Sequence, residues 1–366
     1  MAKKDNSVLL DDITEVRLEA PESSRTKVGF AHRLWTGDLA INFIGNAKRW
    51  YLISAILILA SIAALVLRPL NLGIEFRGGS NFQVEVAQVT ASTADDFRAV
   101  VLETGIRDLD ATTVTTIGIG RVSIETRSLD VDEQIAMREA IAKAAGVDVE
   151  SVAYQQIGAS WGRQVTQQAG IALVIFLCLV ALLIGIYFRD WKKALAAIIS
   201  LLHDLTITVG VYALAGFSVT PATLTGVLTI LGYSLYDTVV VFDKLRENTA
   251  KMDDYRWTYA EAANHSVNQV LVRSINTTVI GVLPVAALLF AGAFILGSGP
   301  LEDLGLSLFV GMIVAAYSSI FIATPLLSQL RMLEPGMKQQ AMRVAKRRAK
   351  LAKIEASKEA AAKELR

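Results

Sequence analysis

Long apolar stretches alternate with short polar ones along most of the chain, and this pattern predicts membrane-spanning helices. A helix needs about 20 mostly apolar residues to cross roughly 30 Å of hydrocarbon. Six segments meet this standard, at residues 50–67, 169–188, 194–217, 221–242, 274–293 and 304–327. The chain is therefore predicted to be a polytopic α-helical membrane protein with six transmembrane helices.

The segment between the first two spans, residues 70–163, has a different pattern. Phe82, Val84 and Val86 alternate as in a strand, and Thr93 opens a helical pattern. Two β-rich runs, a helix from Asp130 to a stop at Gly146, and a last strand at 149–156 follow. The order βαββαβ predicts an α+β ferredoxin-like domain with a small sheet and two helices on one face.

The distribution of Lys and Arg predicts the orientation of the spans. Basic residues cluster at alternate ends, whereas the turns at 217–221 and 292–305 contain neither Lys nor Arg. Since basic loops remain in the cytosol, both termini are predicted to be cytosolic and residues 70–163 extracytoplasmic. The expected organisation is a flexible tail at 1–47, helix 1 at 48–69, the outer domain at 70–163, helices 2–6 at 164–330 and a basic tail at 331–366.

Composition supports a membrane protein and excludes several chemistries. Hydrophobic residues make up 53% of the chain and charged residues 19%, and one cysteine permits no internal disulfide. No P-loop, His-Glu-x-x-His motif or nucleophile elbow is present, so we expect neither an enzyme nor a metal or other cofactor. From residue 337 the tail has ten Lys or Arg against three Glu, which favours contact with anionic lipid over a specific partner, and no nucleic-acid role is indicated.

Asp237 is the candidate functional centre because it lies inside the fourth span. A carboxylate at the centre of a membrane helix costs at least about 2.5 kcal/mol on insertion scales, and such residues mark ion pathways. Arg273, at the start of the fifth span, is the predicted partner in a proton-coupling pair, with Asn276 and Thr277 as nearby donors. The alternative is a static ion pair that holds two helices together.

His203 and Asp204 form a second polar site within the third span. An imidazole beside a carboxylate could relay protons toward Asp237. A neutral histidine in a local hydrogen-bonded pocket is an equally good interpretation of the same two residues.

These motifs resemble the SecD/SecF family of protein-export membrane proteins, part of the RND superfamily. The run Gly73-Ile-Glu75-Phe76-Arg-Gly78-Gly79 after the first span is similar to a motif of that family. The membrane motifs around His203-Asp204, Asp237 and Arg273 follow in the family's order. Tyr236 stands where many relatives have Asn.

The resemblance implies a role in bacterial protein export across the cytoplasmic membrane, driven by the proton motive force. It implies a separate SecD-like partner, the SecYEG channel and the translocating polypeptide as contacts. Asp237 and Arg273 match the family's proton-coupling positions.

Three alternatives remain open at the level of sequence. The chain could be a structural subunit that conducts no protons, or a general RND-like exporter of lipids or drugs. The Tyr236-Asp237 pair, with Asp204 as a second carboxylate, also resembles part of an intramembrane aspartyl protease, but no Gly-x-Gly-Asp element surrounds Asp204.

Overall fold

The computed structural model describes residues 41–90, 92–117, 120–250, 257–292 and 299–364. Within these ranges six helices are long and apolar enough to cross a membrane, which confirms the predicted polytopic helical class. They are α1 (Ala47–Leu67), α5 (Ala159–Phe188), α6 (Trp191–Ala215), α7 (Pro221–Thr249), α8 (Tyr259–Phe290) and the span Leu301–Met332. Of the predicted tail at residues 1–47, residues 1–40 lie outside the described residues.

The last span is not a regular helix. Helix α9 (Gly299–Ser318) passes into a π-helical turn at Ser319–Ala323, and α10 (Thr324–Met332) completes the span. The Thr324 hydroxyl donates to the Ser319 carbonyl at 3.3 Å, across this turn. A π turn inserts one extra residue into a helix, and such turns often occur at functional sites.

The spans differ in how deeply they are buried. The buried share of the most apolar 18-residue stretch in each span is 50% in α6 and in the last span, against 17% in α1 and in α5. Leu52, Leu59 and Val66 on α1 remain exposed because lipid is as favourable for them as a protein core. The centre of the bundle is therefore formed by α6, α7 and the last span.

A separate domain lies between α1 and α5. Its elements are α2 (Ile74–Arg77), β2 (Gly79–Glu85), α3 (Thr93–Glu103), β3 (Thr113–Ile117), β4 (Arg121–Thr126), α4 (Val131–Ala145) and β5 (Ala153–Ile157). The strands form an antiparallel sheet in the order β3-β4-β2-β5. Phe82 and Ile124 from the sheet and Met137 and Ile141 from α4 are fully buried in its core, where helices cover one face.

Local sequence accounts for the ends of α4. The Asp130 side chain accepts from the Glu133 N–H at 2.8 Å and Glu133 accepts from the Asp130 N–H, so the predicted start is a capping box. Gly146 ends the helix with φ +71°, as predicted. The predicted strand at 149–156 is wrong at its start, where a 3₁₀ turn at Val149–Ser151 precedes β5 because Asp148 begins a short helical turn.

Two short strands tie this domain to the membrane helices. β1 (Asn71–Leu72) follows α1 and pairs in parallel with β6 (Ser218–Val219), which joins α6 to α7. The Asn71 side chain also donates to the Ser218 hydroxyl at 3.1 Å. The chain leaving α1 is thus fixed to the α6–α7 turn before it enters the sheet.

The opposite end of the bundle carries ion pairs. Asp190 accepts from the Lys192 N–H at the start of α6 and forms an ion pair with Arg331. Glu334 bridges Arg331 at 2.9 Å and the Lys192 ammonium at 2.8 Å. Beyond it, α11 (Pro335–Glu364) contains the basic C-terminal sequence, and an exposed pair joins Arg348 to Glu261 at 2.7 Å.

Candidate functional site

Asp237 is buried in α7 and is held by two hydroxyl groups. The Ser274 hydroxyl on α8 donates to Asp237 Oδ2 at 2.5 Å, and the Ser319 hydroxyl in the π turn donates to the same oxygen at 2.6 Å. Asp237 is 8% exposed, and both serines are buried. The carboxylate is therefore satisfied by neutral donors from two other segments of the bundle.

Asp204 is the second buried carboxylate, on α6. Its Oδ2 accepts from the Ser234 hydroxyl at 2.6 Å and the Ser318 hydroxyl at 2.8 Å. Its Oδ1 lies 3.1 Å from His203 Nδ1, so the predicted contact between these neighbours is formed. Asp204 is 1% exposed, and His203 beside it is also buried.

A hydrogen-bonded chain leads from His203 to the start of α1. His203 Nε2 lies 3.1 Å from the Ser54 hydroxyl, which donates to the Tyr317 hydroxyl at 3.2 Å. The Tyr317 hydroxyl donates in turn to the Trp50 carbonyl at 3.0 Å. Buried polar groups of this kind strengthen one another when every member has a partner.

The spacing of polar residues explains how the two carboxylates come together. Ser234 and Asp237 are three residues apart on α7 and share one face of that helix. Ser318 and Ser319 are adjacent, so their side chains point about 100° apart, one toward α6 and the other toward α7. Neighbouring residues at the junction of α9 and the π turn therefore contact different carboxylates.

The predicted ion pair between Asp237 and Arg273 is not formed among the described residues. Arg273 is exposed on α8, whereas the next residue, Ser274, is the one buried against Asp237. A rotation of about 100° per helical residue separates the two side chains. Thr277 lies one turn beyond Arg273 and donates to its carbonyl at 2.8 Å, and neither Asn276 nor Thr277 has a hydrogen bond to Asp237 in the ranges described.

Sequence reasoning missed the four serines that bind the carboxylates. Ser234 lies one turn before Asp237, and Ser274 lies inside the very motif that singled out Arg273. Ser318 and Ser319 form the one Ser-Ser pair within the last span. A search for small hydroxyl residues spaced by one helical turn from the carboxylates would have found Ser234, whereas the others depend on tertiary packing.

The glycine motif after α1 forms the joint between the sheet domain and α5. Gly73 donates its N–H to the Val219 carbonyl at 2.9 Å, and Phe76 is buried. Gly78 has φ +77°, and a Cβ there would lie 2.7 Å from the Cα of Ala159. Gly79 also has a positive φ, +153°. Both positions need glycine, since a side chain would be strained at a positive φ, and at Gly78 it would also push α5 away.

Glu75, the acidic residue of this motif, faces two other carboxyl groups. Burial, helped by the nearby Glu75 and Asp303 carboxylates and opposed by the charge of Arg77, raises the pKa of Glu125 on β4 to about 7. Glu125 therefore binds a proton near neutral pH. Across the described ranges no group of three or more His, Cys, Asp or Glu side chains is arranged to hold a metal ion.

Comparisons with known proteins place these features in one family. The family described as "Protein export membrane protein SecD/SecF, C-terminal" matches residues 137–333, and the "SecD/SecF GG Motif" matches residues 63–88. The protein translocase subunit SecF of Streptomyces coelicolor is 46% identical over 341 residues, which cover 91% of this chain and 88% of the relative. SecF of Mycobacterium tuberculosis CDC 1551 is 40% identical over 332 residues, which cover 87% of this chain and 73% of that relative.

A solved structure has the same fold over most of the chain. The crystal structure of SecDF from Thermus thermophilus, described as a translocon-associated membrane protein, aligns with a TM-score of 0.71 at 28% identity. The alignment covers 81% of this chain and 39% of that one, so this chain spans about two fifths of the fused relative. The chain is therefore a multi-pass bacterial membrane protein and belongs to the SecD/SecF family.

Proposed function

We propose that this chain is a proton-coupled subunit of the protein export machinery and works with a SecD-like partner. The observation that carries the proposal is the environment of Asp237, a carboxylate 8% exposed inside a membrane helix with two serine hydroxyls and, within the described residues, no ion-paired cation. A charge held there without a counter-ion is costly, so binding a proton is a ready alternative. Asp204 and His203 supply a second protonation site one helix away.

The exposed face beside Asp237 supports a partner within the membrane. Arg273 on α8 and Tyr236 on α7, which is 60% exposed, lie on the outside of this bundle. A guanidinium in contact with lipid hydrocarbon is unfavourable, whereas a carboxyl group on a neighbouring helix would stabilise it. A relative in which SecD and SecF are fused, SecDF of Thermus thermophilus, gives the pairing a precedent. Arg273 then acts across the interface.

The sheet domain is proposed to be an extracytoplasmic ferredoxin-like domain that contacts the translocating polypeptide near the SecYEG channel. Its element order βαββαβ and strand order β3-β4-β2-β5 support that assignment. The Lys and Arg at the opposite end of the bundle favour a cytosolic location for both termini. The basic helix α11 lies on that side, where anionic lipid attracts it.

Replacement of the Asp237 carboxyl tests the proposal. Asp237→Asn removes the titrating group but keeps an oxygen that accepts from both serines. In membranes that contain the partner, we expect proton-driven completion of export to fall to the level seen without a proton gradient. The matched control is Asp243→Asn, the same chemical change on the same helix at an exposed position. Undiminished proton-driven export in Asp237→Asn would refute the proposal.

A structural, non-conducting role gives a different result in the same assay. If Asp237 only joins helices, Asp237→Asn should export as well as the unaltered chain, because the Asn oxygen still accepts from Ser274 and Ser319. The proton-coupled role instead predicts that this variant is inactive although its stability is retained.

A further inference from the structure

The serine pair at the start of the π turn connects the two buried carboxylates. Each hydroxyl carries a single hydrogen but has two acceptors within reach. Ser319 lies 2.6 Å from Asp237 Oδ2 and 3.4 Å from the Ala316 carbonyl. Ser318 lies 2.8 Å from Asp204 Oδ2 and 3.2 Å from the Ala315 carbonyl. Each hydroxyl can therefore bond either to a carboxylate or to its own helix.

Protonation of Asp237 changes which acceptor Ser319 uses. Two hydroxyls, those of Ser274 and Ser319, already donate to one oxygen of Asp237. A proton bound to that oxygen occupies a lone pair, so one hydroxyl must turn away. Ser319 has a second acceptor in Ala316, which lies in α9. Neutralisation of Asp237 therefore moves a hydrogen bond from the carboxylate to the helix preceding the π turn.

We infer that Ser318 and Ser319 are positioning residues that couple Asp237 to Asp204 through the π turn at Ser319–Ala323. The inference rests on the proposed function, since it assigns the element that responds when Asp237 binds a proton. Release of Ser319 changes the turn geometry, and because Ser318 is the adjacent residue its bond to Asp204 changes with it. The two protonation sites then act in sequence and share one moving segment.

Other titratable groups lie on α7 itself and on the helices packed against it. They are Tyr233 and Tyr236 on α7, His203 and Asp204 on α6, Arg273 on α8 and Tyr317 on α9. Of these, Asp204 is the one held by the same serine pair.

Amide hydrogen exchange in the full chain with its partner tests the coupling. In otherwise unaltered protein, we expect Asp237→Asn to change the exchange rate of amides 319–323 by about 10-fold, since the Ser319 hydrogen bond to a charged carboxylate becomes a weaker one to a neutral amide oxygen. Ser319→Ala should abolish that response, because no hydroxyl remains to bond to residue 237. Ser318→Ala should keep the response at 319–323 but remove any change in exchange around Asp204.

Ser307→Ala is the matched control. Ser307 is a fully buried serine on the same helix that donates to the Leu304 carbonyl, with no carboxylate bond among the described residues. We expect it to retain both the exchange response and proton-driven export, whereas Ser319→Ala should slow that export about 10-fold. The inference is overturned if Ser319→Ala behaves as Ser307→Ala does.

The two proposals fail in distinguishable ways. If Asp237→Asn exports normally, the proton-coupled function is wrong. If Asp237→Asn is inactive but Ser319→Ala exports at the unaltered rate with its exchange response intact, the function stands and the serine coupling alone is wrong.

Discussion

Asp190 and Asp237 are equally buried carboxylates, each 8% exposed, that the protein treats in different ways. Asp190, at the end of the bundle, is paired with Arg331 and also caps α6. Asp237, inside the bundle, has two serine hydroxyls and no such cation among the described residues. Because the two carboxylates are equally buried, the difference lies in the groups that bind them.

The comparison teaches that the kind of partner separates structural from functional carboxylates. A fixed cation stabilises the charged form and opposes proton binding, whereas hydroxyls can donate to a carboxylate or accept from a carboxylic acid. Asp190 should therefore contribute mainly to stability and Asp237 mainly to proton-linked change.

The largest expected effect is on Asp190. Asp190→Ala leaves Arg331 without one of its two carboxylates and removes the cap of α6, so we expect a loss of about 3 kcal/mol in unfolding free energy. Thermal unfolding of the purified protein in detergent measures it. Asp190→Asn can still cap the helix and should recover about 1 kcal/mol. An unchanged melting temperature in Asp190→Ala would show that Asp190 does not stabilise the fold.

A smaller effect is expected at Glu125, a half-buried carboxyl in the sheet domain. Burial and nearby carboxylates raise its pKa from 4.5 to about 7, so the folded state holds a proton that the unfolded state has lost. Its stabilisation is complete below pH 4.5 and disappears as the pH rises through about 7. Glu125→Gln should flatten the dependence of melting temperature on pH over this window, by at most about 2 kcal/mol.

Glu103→Gln is the control for that measurement, because Glu103 is exposed at the end of α3. It should leave the pH dependence unchanged. An equal effect of both variants would show that the slope arises from general charge and not from the burial of Glu125.

Asp237→Asn should change stability less than either of these. The Asn oxygen can still accept from Ser274 and Ser319, and no cation is left unpaired, so we expect a change below about 1 kcal/mol together with the loss of proton-driven export. The melting temperature of the variant checks this. A loss of unfolding free energy as large as that of Asp190→Ala would show that Asp237 also acts mainly to stabilise the fold.

The smallest effect is expected at the exposed pair of Arg348 and Glu261, which tests whether ion pairing alone gives stability. Arg348→Gln should cost about 0.5 kcal/mol or less, since solvent and salt screen the pair. Melting in low and high salt measures it. A loss of several kcal/mol that persists in high salt would contradict this expectation.

The amphipathic and apolar patterns were sufficient to predict the six spans and most of the sheet domain. Long apolar runs have one stable environment, and the Asp130 cap and Gly146 stop specify α4 locally. The π turn at Ser319–Ala323 was not predicted because no pattern within the last span specifies it. The contact that its first residue, Ser319, makes with Asp237 of α7 depends on tertiary packing.

The candidate site was predicted in part. A lone Asp237 within an apolar helix is visible from composition, and the contact of His203 with Asp204 follows from adjacency. The choice between Arg273 and Ser274 as the neighbour of Asp237 depends on the rotation of α8 about its axis. A shift of one residue turns a different side chain toward Asp237. Sequence favoured the charged residue, whereas packing selected the small one.

Helix α5 has a mechanical consequence for the sheet domain. It runs for 30 residues without interruption, from the glycine joint at Gly78 and Gly79 to the far end of the bundle, a length of about 45 Å. A helix of this kind acts as a rod, so a tilt of about 10° at one end displaces the other by about 8 Å. The rod needs no hinge of its own, so a small tilt of α5 within the bundle becomes a much larger displacement at the glycine joint.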